Sequence, residues 1–263
     1  MRELLRLIKC EFWKLKRKKF VLFVIFAALL FPIPFTALII NGGIGNMDAF
    51  EGLYEMLISM GEPVMLPCIL GIIAAMLFFM ERDNGTLKNL RAVPVPSWKI
   101  ATAKIAVLFV LGFLYSTMTV VSAMIGGVIT GGVITDVAGK LGIAALTGIL
   151  YTAAILPVVI AIIFFNRSYI FSIILTFFYT MFNFSLMYVG LGSKEPVMKA
   201  LISIMPTPVI YRWQESLFVT KDLSFYSIVE PYFLSLPLVI TVIGIIGSLS
   251  YLAIIKIYRG QES

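Results

Sequence analysis

"FFMERDNGTLKNLRAVPVPSWKIATAK", Phe78–Lys104, is a charged and turn-rich insert between two long apolar runs. The runs around it settle the solvent. Of the 263 residues, 60% are hydrophobic and 13% charged, with a mean hydropathy of +1.00. Soluble domains carry about 45–50% apolar and about 25% charged residues. Charge-free stretches long enough to cross a bilayer recur along the chain, at about 20–40, 63–80, 105–130, 141–165, 168–190 and 232–255. They lack the two-residue alternation of barrel strands, and backbone groups in lipid must be satisfied internally, so they are read as six helices.

The insert also sets sidedness. Cytoplasmic placement of residues 81–104 puts Arg82, Lys88, Arg91, Lys99 and Lys104 inside. Arg2, Arg6, Lys9, Lys14, Lys16–Lys19, Arg167, Lys256 and Arg259 fall on the same side. Lys140, Lys194, Lys199, Arg212 and Lys221 are left outside, with Asp48, Glu51, Glu55, Glu62, Asp136, Glu195, Glu215, Asp222 and Glu230. Excess lysine and arginine mark the cytoplasmic side, so both termini are expected there. The net charge of +7 then reflects topology and attraction to anionic lipid, with no call for nucleic acid.

Residues 1–19 read as an amphipathic interfacial helix. Leu4, Leu5, Ile8, Phe12 and Leu15 share one face, with Glu11 intruding among them and basic residues opposite. The segment does not read as a cleavable signal: its basic region runs to Lys19 and no small-residue cleavage site follows. Pro32 and Pro34 are expected to kink the first span, Pro157 the fourth and Pro237 the sixth. Ala123, Gly127 and Gly131 form a small-residue stripe suited to helix–helix contact, within the chain or with a second copy. The loop 191–231 is too long and apolar to lack structure, and short extracellular helices are expected in it.

Absences narrow the chemistry. Histidine is missing, which excludes His-dependent hydrolysis and most metal sites. "GGVITDVAGKLG", residues 131–142, lacks the spacing of a phosphate-binding loop. Cys10 and Cys68 are read as packing residues. On the span limits above, no Asp, Glu, Lys or Arg lies inside the membrane, which weakens ion coupling. The chain is expected to be no enzyme, with no cofactor or metal of its own. A span-five group, Phe178, Tyr179, Phe182, Asn183 and Tyr188, offers aromatic and amide contacts along a substrate path.

Within the insert, Asp83–Gly85 make a turn, Thr86 caps a short helix with Leu87, Leu90 and Arg91 on its surface, and Pro94 and Pro96 stop it. Ser97 is placed to cap the helix that follows. This segment resembles the first cytoplasmic loop of type 2 ABC-exporter permeases, and looks most like that of lantibiotic-immunity, antimicrobial-peptide exporters. The likeness rests on Glu81, Gly85, Thr86, Leu87, Leu90 and Pro94, with Lys104 entering the next span, and extends to the basic N-terminal helix, six spans and the apolar loop before the last. It implies an all-α membrane protein, 20–255 spanning and 256–263 a cytoplasmic tail, with a coupling helix between the second and third spans. It implies a multi-pass subunit of the bacterial cytoplasmic membrane. Its partners would be a cytosolic ABC ATPase, which carries the ATP and Mg, and a second permease chain, identical or homologous. The cargo would be a hydrophobic or amphipathic substrate such as a lantibiotic, exported for resistance. The rivals are an ion-coupled or facilitative carrier and a non-transporting scaffold or sensor.

Overall fold

The computed structural model describes residues 2–17, 19–42, 48–83, 95–165, 168–190, 193, 195–221 and 226–260. The described residues are helical throughout, with no strand, and six helices are long and apolar enough to cross a membrane. Helix α1 is Arg2–Arg17, and the first span is α2, Phe20–Leu30, with α3, Ile33–Gly42. The break between them falls at Phe31–Pro32, where the prolines were expected to act. The second span is composite: α4 (Ala49–Met56), a π-helical turn (Leu57–Gly61) and α5 (Glu62–Asp83). Then come α6 (Ser97–Ile129), α7 (Val137–Phe165), α8 (Tyr169–Gly190), α9 (Pro196–Ile204), α10 (Pro206–Phe218), α11 (Tyr226–Val229), a 3₁₀ turn at Glu230–Tyr232, and α12 (Leu236–Gly260).

Helix α6 is the hub, packed against α7, α2, α1, α5, α4 and α12. Its closest approach is to α7, where two glycines meet. A Cβ on Gly148 would stand 2.6 Å from the Gly112 carbonyl, and one on Gly112 would stand 2.0 Å from Thr152 Oγ1. Backbones come this near only where side chains are missing. The core around them is aliphatic, with Leu70, Ile73, Leu108, Leu111, Ile155 and Val159 buried.

Several expectations are corrected. The second span begins near Ala49 instead of residue 63, so Glu51, Glu55 and Glu62 ride on its helix. Proline has no N–H, and its ring crowds the carbonyl four residues back. The π turn, in which the Glu62 amide reaches back to the Leu57 carbonyl, loosens the ladder just before Pro63. The third span starts at Ser97, which takes in Lys104. Pro96 holds the N-cap position there, and the Ser97 hydroxyl is buried without a partner. Pro237 is the second residue of α12, where a missing N–H costs nothing, so it starts the last span and does not kink it. Gly131 lies past the end of α6 at φ 77°, a turn position with no neighbour within 4 Å of a built Cβ. Ala123 and Gly127 face inward on α6; a Cβ on Gly127 would meet Phe50 of α4 at 2.8 Å.

Candidate functional site

Two polar regions stand out, one at each end of the bundle. The first gathers the N-terminus of α6, the C-terminal part of α5 and the interfacial-type helix α1, beside the two ends of the charged insert. Lys104 is fully buried; its Nζ donates to the Leu77 carbonyl at 2.6 Å and pairs with Glu11 at 3.3 Å. Glu11, 4% exposed, also pairs with Lys14 at 2.5 Å. The acidic residue that broke the apolar face of α1 is thus the hook that fastens it. Farther out, Lys99 pairs with Glu3 at 2.6 Å. That bond, with the attraction of the Lys99 ammonium, holds the exposed Glu3 carboxyl below its ordinary range. Phe78 stacks edge-on to Tyr258 of α12 in the same layer. Of the insert residues named above, Glu81 belongs to the last turn of α5; Gly85, Thr86, Leu87, Leu90, Arg91 and Pro94 lie outside the described residues.

The second region lies toward the opposite end, under the short helices before α12. Asp48 caps α4 through the Phe50 amide at 2.9 Å and accepts the Val133 amide at 2.9 Å. Glu51 pairs with Lys140 at 2.7 Å and accepts from Thr135. Helix α10 buries one face, and its Gln214, fully buried, accepts from Tyr151 at 3.3 Å and donates to the Ile58 carbonyl of the π turn at 3.4 Å. Beneath this, Glu62 is 1% exposed, with Oε1 2.6 Å from Ser116 Oγ and Oε2 lacking any partner. The spans expected to be free of charge-bearing side chains therefore bury three among the described residues, Glu62, Lys104 and Lys140. The error lay in span limits drawn too short at residues 63, 105 and 141.

The span-five group separates on the helix. Asn183 is fully buried; its amide donates to the Tyr179 carbonyl at 3.0 Å and its Oδ1 has no partner. It continues an inward stripe of Ser172, Thr176 and Thr180 that packs on α5. Tyr179 donates to the Ala154 carbonyl at 2.7 Å. Phe178 and Phe182 are 66% and 50% exposed and Tyr188 is also outward, so they do not line one path with Asn183. A groove of about 560 Å³ opens elsewhere, between α6, α7 and α12, lined by Thr102, Phe109, Leu156, Gly247 and Tyr251. Its polar end is the Thr102–Tyr251 hydroxyl pair at 2.8 Å. The sequence signal for it, small Gly244 and Gly247 in an aliphatic helix, had passed unread.

The family profile described as "ABC-2 family transporter protein" matches residues 7–183, which takes in most of α1, the insert and most of α8. The chain belongs to the ABC-2 family of transporter proteins. Comparison with curated proteins found no match. As an ABC-2 permease subunit it is a multi-pass membrane protein of an ABC transporter, and membership implies an ATPase subunit as partner.

Proposed function

We propose that this ABC-2 permease is the membrane half of an ATP-driven exporter whose residues 81–104 face the cytosol and dock on the ATPase. Leu87 and Leu90 supply the apolar contact, Glu81 and Arg91 the polar rim, and Gly85, Thr86 and Pro94 the turn geometry around them. One observation carries the reading: the start of α6, the end of α5 and α1 are bolted together by the buried Lys104–Glu11 pair and the Leu77 carbonyl. A push on the insert is then delivered to the hub helix without loss in a loose joint. ATP and Mg are held by the ATPase, and this chain contributes no catalytic group. A second permease chain completes the pathway, since one bundle leaves the outer faces of α8 and α12 largely uncovered. The cargo is an amphipathic antimicrobial peptide of the lantibiotic type, taken from the membrane along apolar surface such as the α6–α7–α12 groove and released outside, conferring immunity.

The test is affinity purification of the tagged chain from membranes of its own cells, followed by ATP hydrolysis by the recovered complex. An ATPase subunit should co-purify with wild type and be lost from a Leu87→Asp, Leu90→Asp double variant that still inserts. Unchanged recovery from the double variant would refute docking through this segment.

A further inference from the structure

Glu62 lies a turn beyond anything the exporter cycle described above requires. It opens α5 directly after the π turn, in a bundle where leaving a carboxylate unpaired is costly. The ion pairs among the described residues lie at the two ends of the molecule: Glu3–Lys99 and Glu11 with Lys14 and Lys104 at one, Glu51–Lys140 at the other. None includes Glu62.

The groups around it are as follows. Its own span brings Tyr54, and α6 brings Tyr115 and Ser116. Helix α7 brings Tyr151 and the Ala144 carbonyl, its one cation, Lys140, being held by Glu51. Helix α10 brings Gln214 above, while its Arg212 is bound to the Tyr232 carbonyl at 2.6 Å and its Glu215 is a further acid. Helix α8 carries no charged residue. Among the described residues, no ion pair supplies a cation to balance a carboxylate here.

A count of protons decides the state of the side chain. Ser116 Oγ lies 2.6 Å from Glu62 Oε1 and 2.5 Å from the Ala144 carbonyl. Both are hydrogen-bond distances between oxygens. The two contacts need two protons, and a hydroxyl has one. With the hydroxyl proton spent on Ala144, the contact to Glu62 is filled when the carboxyl carries the other: Glu62 then donates to Ser116, and Ser116 to Ala144.

We propose that Glu62 is a proton-binding site, and that its proton closes a latch across the second, third and fourth spans. The relay Glu62–Ser116–Ala144 ties α5 to α6 and α7 at the level where Gln214 ties α10 to the π turn. Releasing the proton leaves a carboxylate whose Oε2 has nothing to accept from and whose Oε1 faces a lone pair of Ser116 Oγ, unless Ser116 turns its one proton away from the Ala144 carbonyl. The carboxylate is tolerated only where water enters, so proton release and parting of these helices go together. The proton goes to that water, and no other bond is made or broken. The site does not depend on the exporter reading, because it is a property of the folded chain alone.

The experiment is infrared difference spectroscopy of the purified chain in lipid nanodiscs at neutral pH, wild type minus Glu62→Gln. The neutral, isosteric glutamine keeps the packing, and an unchanged size-exclusion profile verifies this. The difference should contain the carbonyl stretch of one protonated carboxylic acid, lost entirely in Glu62→Gln. In Ser116→Ala the band should persist and move to higher frequency, because the carboxyl loses its acceptor. A difference that shows only ionised carboxylate bands would overturn the proposal. So would an acid band left unshifted by Ser116→Ala, since the relay would then not exist.

Discussion

The two polar regions of this bundle are built on opposite rules. At the insert end, the buried charges are matched: Lys104 meets Glu11 and a main-chain carbonyl, and Glu11 has a second partner in Lys14. At the far end and along α8, beside the matched Glu51–Lys140 pair, four polar atoms are buried and left open, Glu62 Oε2, Thr147 Oγ1, Thr180 Oγ1 and Asn183 Oδ1, against the single Ser97 hydroxyl at the insert end among the described residues. Matched charges in a dry interior hold geometry, since breaking them leaves an uncompensated group. Unmatched ones cost stability in the closed form and gain partners only when something enters or the helices shift. By this comparison the insert end is the stiffer of the two, and the far end is where buried polar groups gain partners if the helices part.

Four substitutions would break or sharpen that contrast. The largest effect is expected from Lys104→Met, which strips the Leu77 carbonyl and Glu11 of their ammonium. Thermal unfolding in detergent should report a loss of about 3 kcal/mol, the low end for a broken buried pair because Lys14 still serves Glu11. Gly148→Ala comes next. Its Cβ would press on the Gly112 backbone, which cannot rotate away, and should cost about 1–3 kcal/mol in the same assay. Asn183→Leu should go the other way, raising stability by about 1 kcal/mol through removal of an open polar atom. Export by the reconstituted complex should fall in that variant; a variant both more stable and fully active would make the α8 stripe mere scaffold. Glu3→Gln is the smallest. Its carboxyl is held low by Lys99, so the contribution is present above the unfolded carboxylate range and lost as pH falls through the folded value. The pair is exposed and salt-screened. Melting curves of Glu3→Gln and wild type should coincide at high salt and differ slightly, if at all, at low salt.

Much of this was legible in the chain before its fold. Six spans followed from length and apolarity, because a bilayer of fixed thickness imposes both. The break at Pro32 followed from backbone chemistry, and the helices inside 191–231 from that loop's length and apolarity. Glu62 did not. Read linearly, Glu51, Glu55 and Glu62 with Gly61 and Pro63 have the composition of a loop. Only the π turn, which reconciles Pro63 with a continuing helix, places the carboxyl in the core. Lys104 was missed for a related reason: a long aliphatic stem carried its ammonium to a carbonyl and a carboxylate on other elements, neither adjacent in sequence. Glu11 was visible as a flaw in the α1 pattern, and its meaning needed the partner. The aromatic run of α8 misled because 3.6-residue periodicity turns consecutive rings to different sides, leaving Phe178 and Asn183 apart.

Everything in the transmission account depends on which side of the membrane the insert end occupies. A version of the chain lacking Cys10 and Cys68, with Leu90→Cys as its single thiol, can be treated with a membrane-impermeant maleimide. The account predicts no labelling on intact cells and strong labelling once the membrane is opened. Full labelling on intact cells would put the insert outside, beyond the reach of any ATPase, and contradict it.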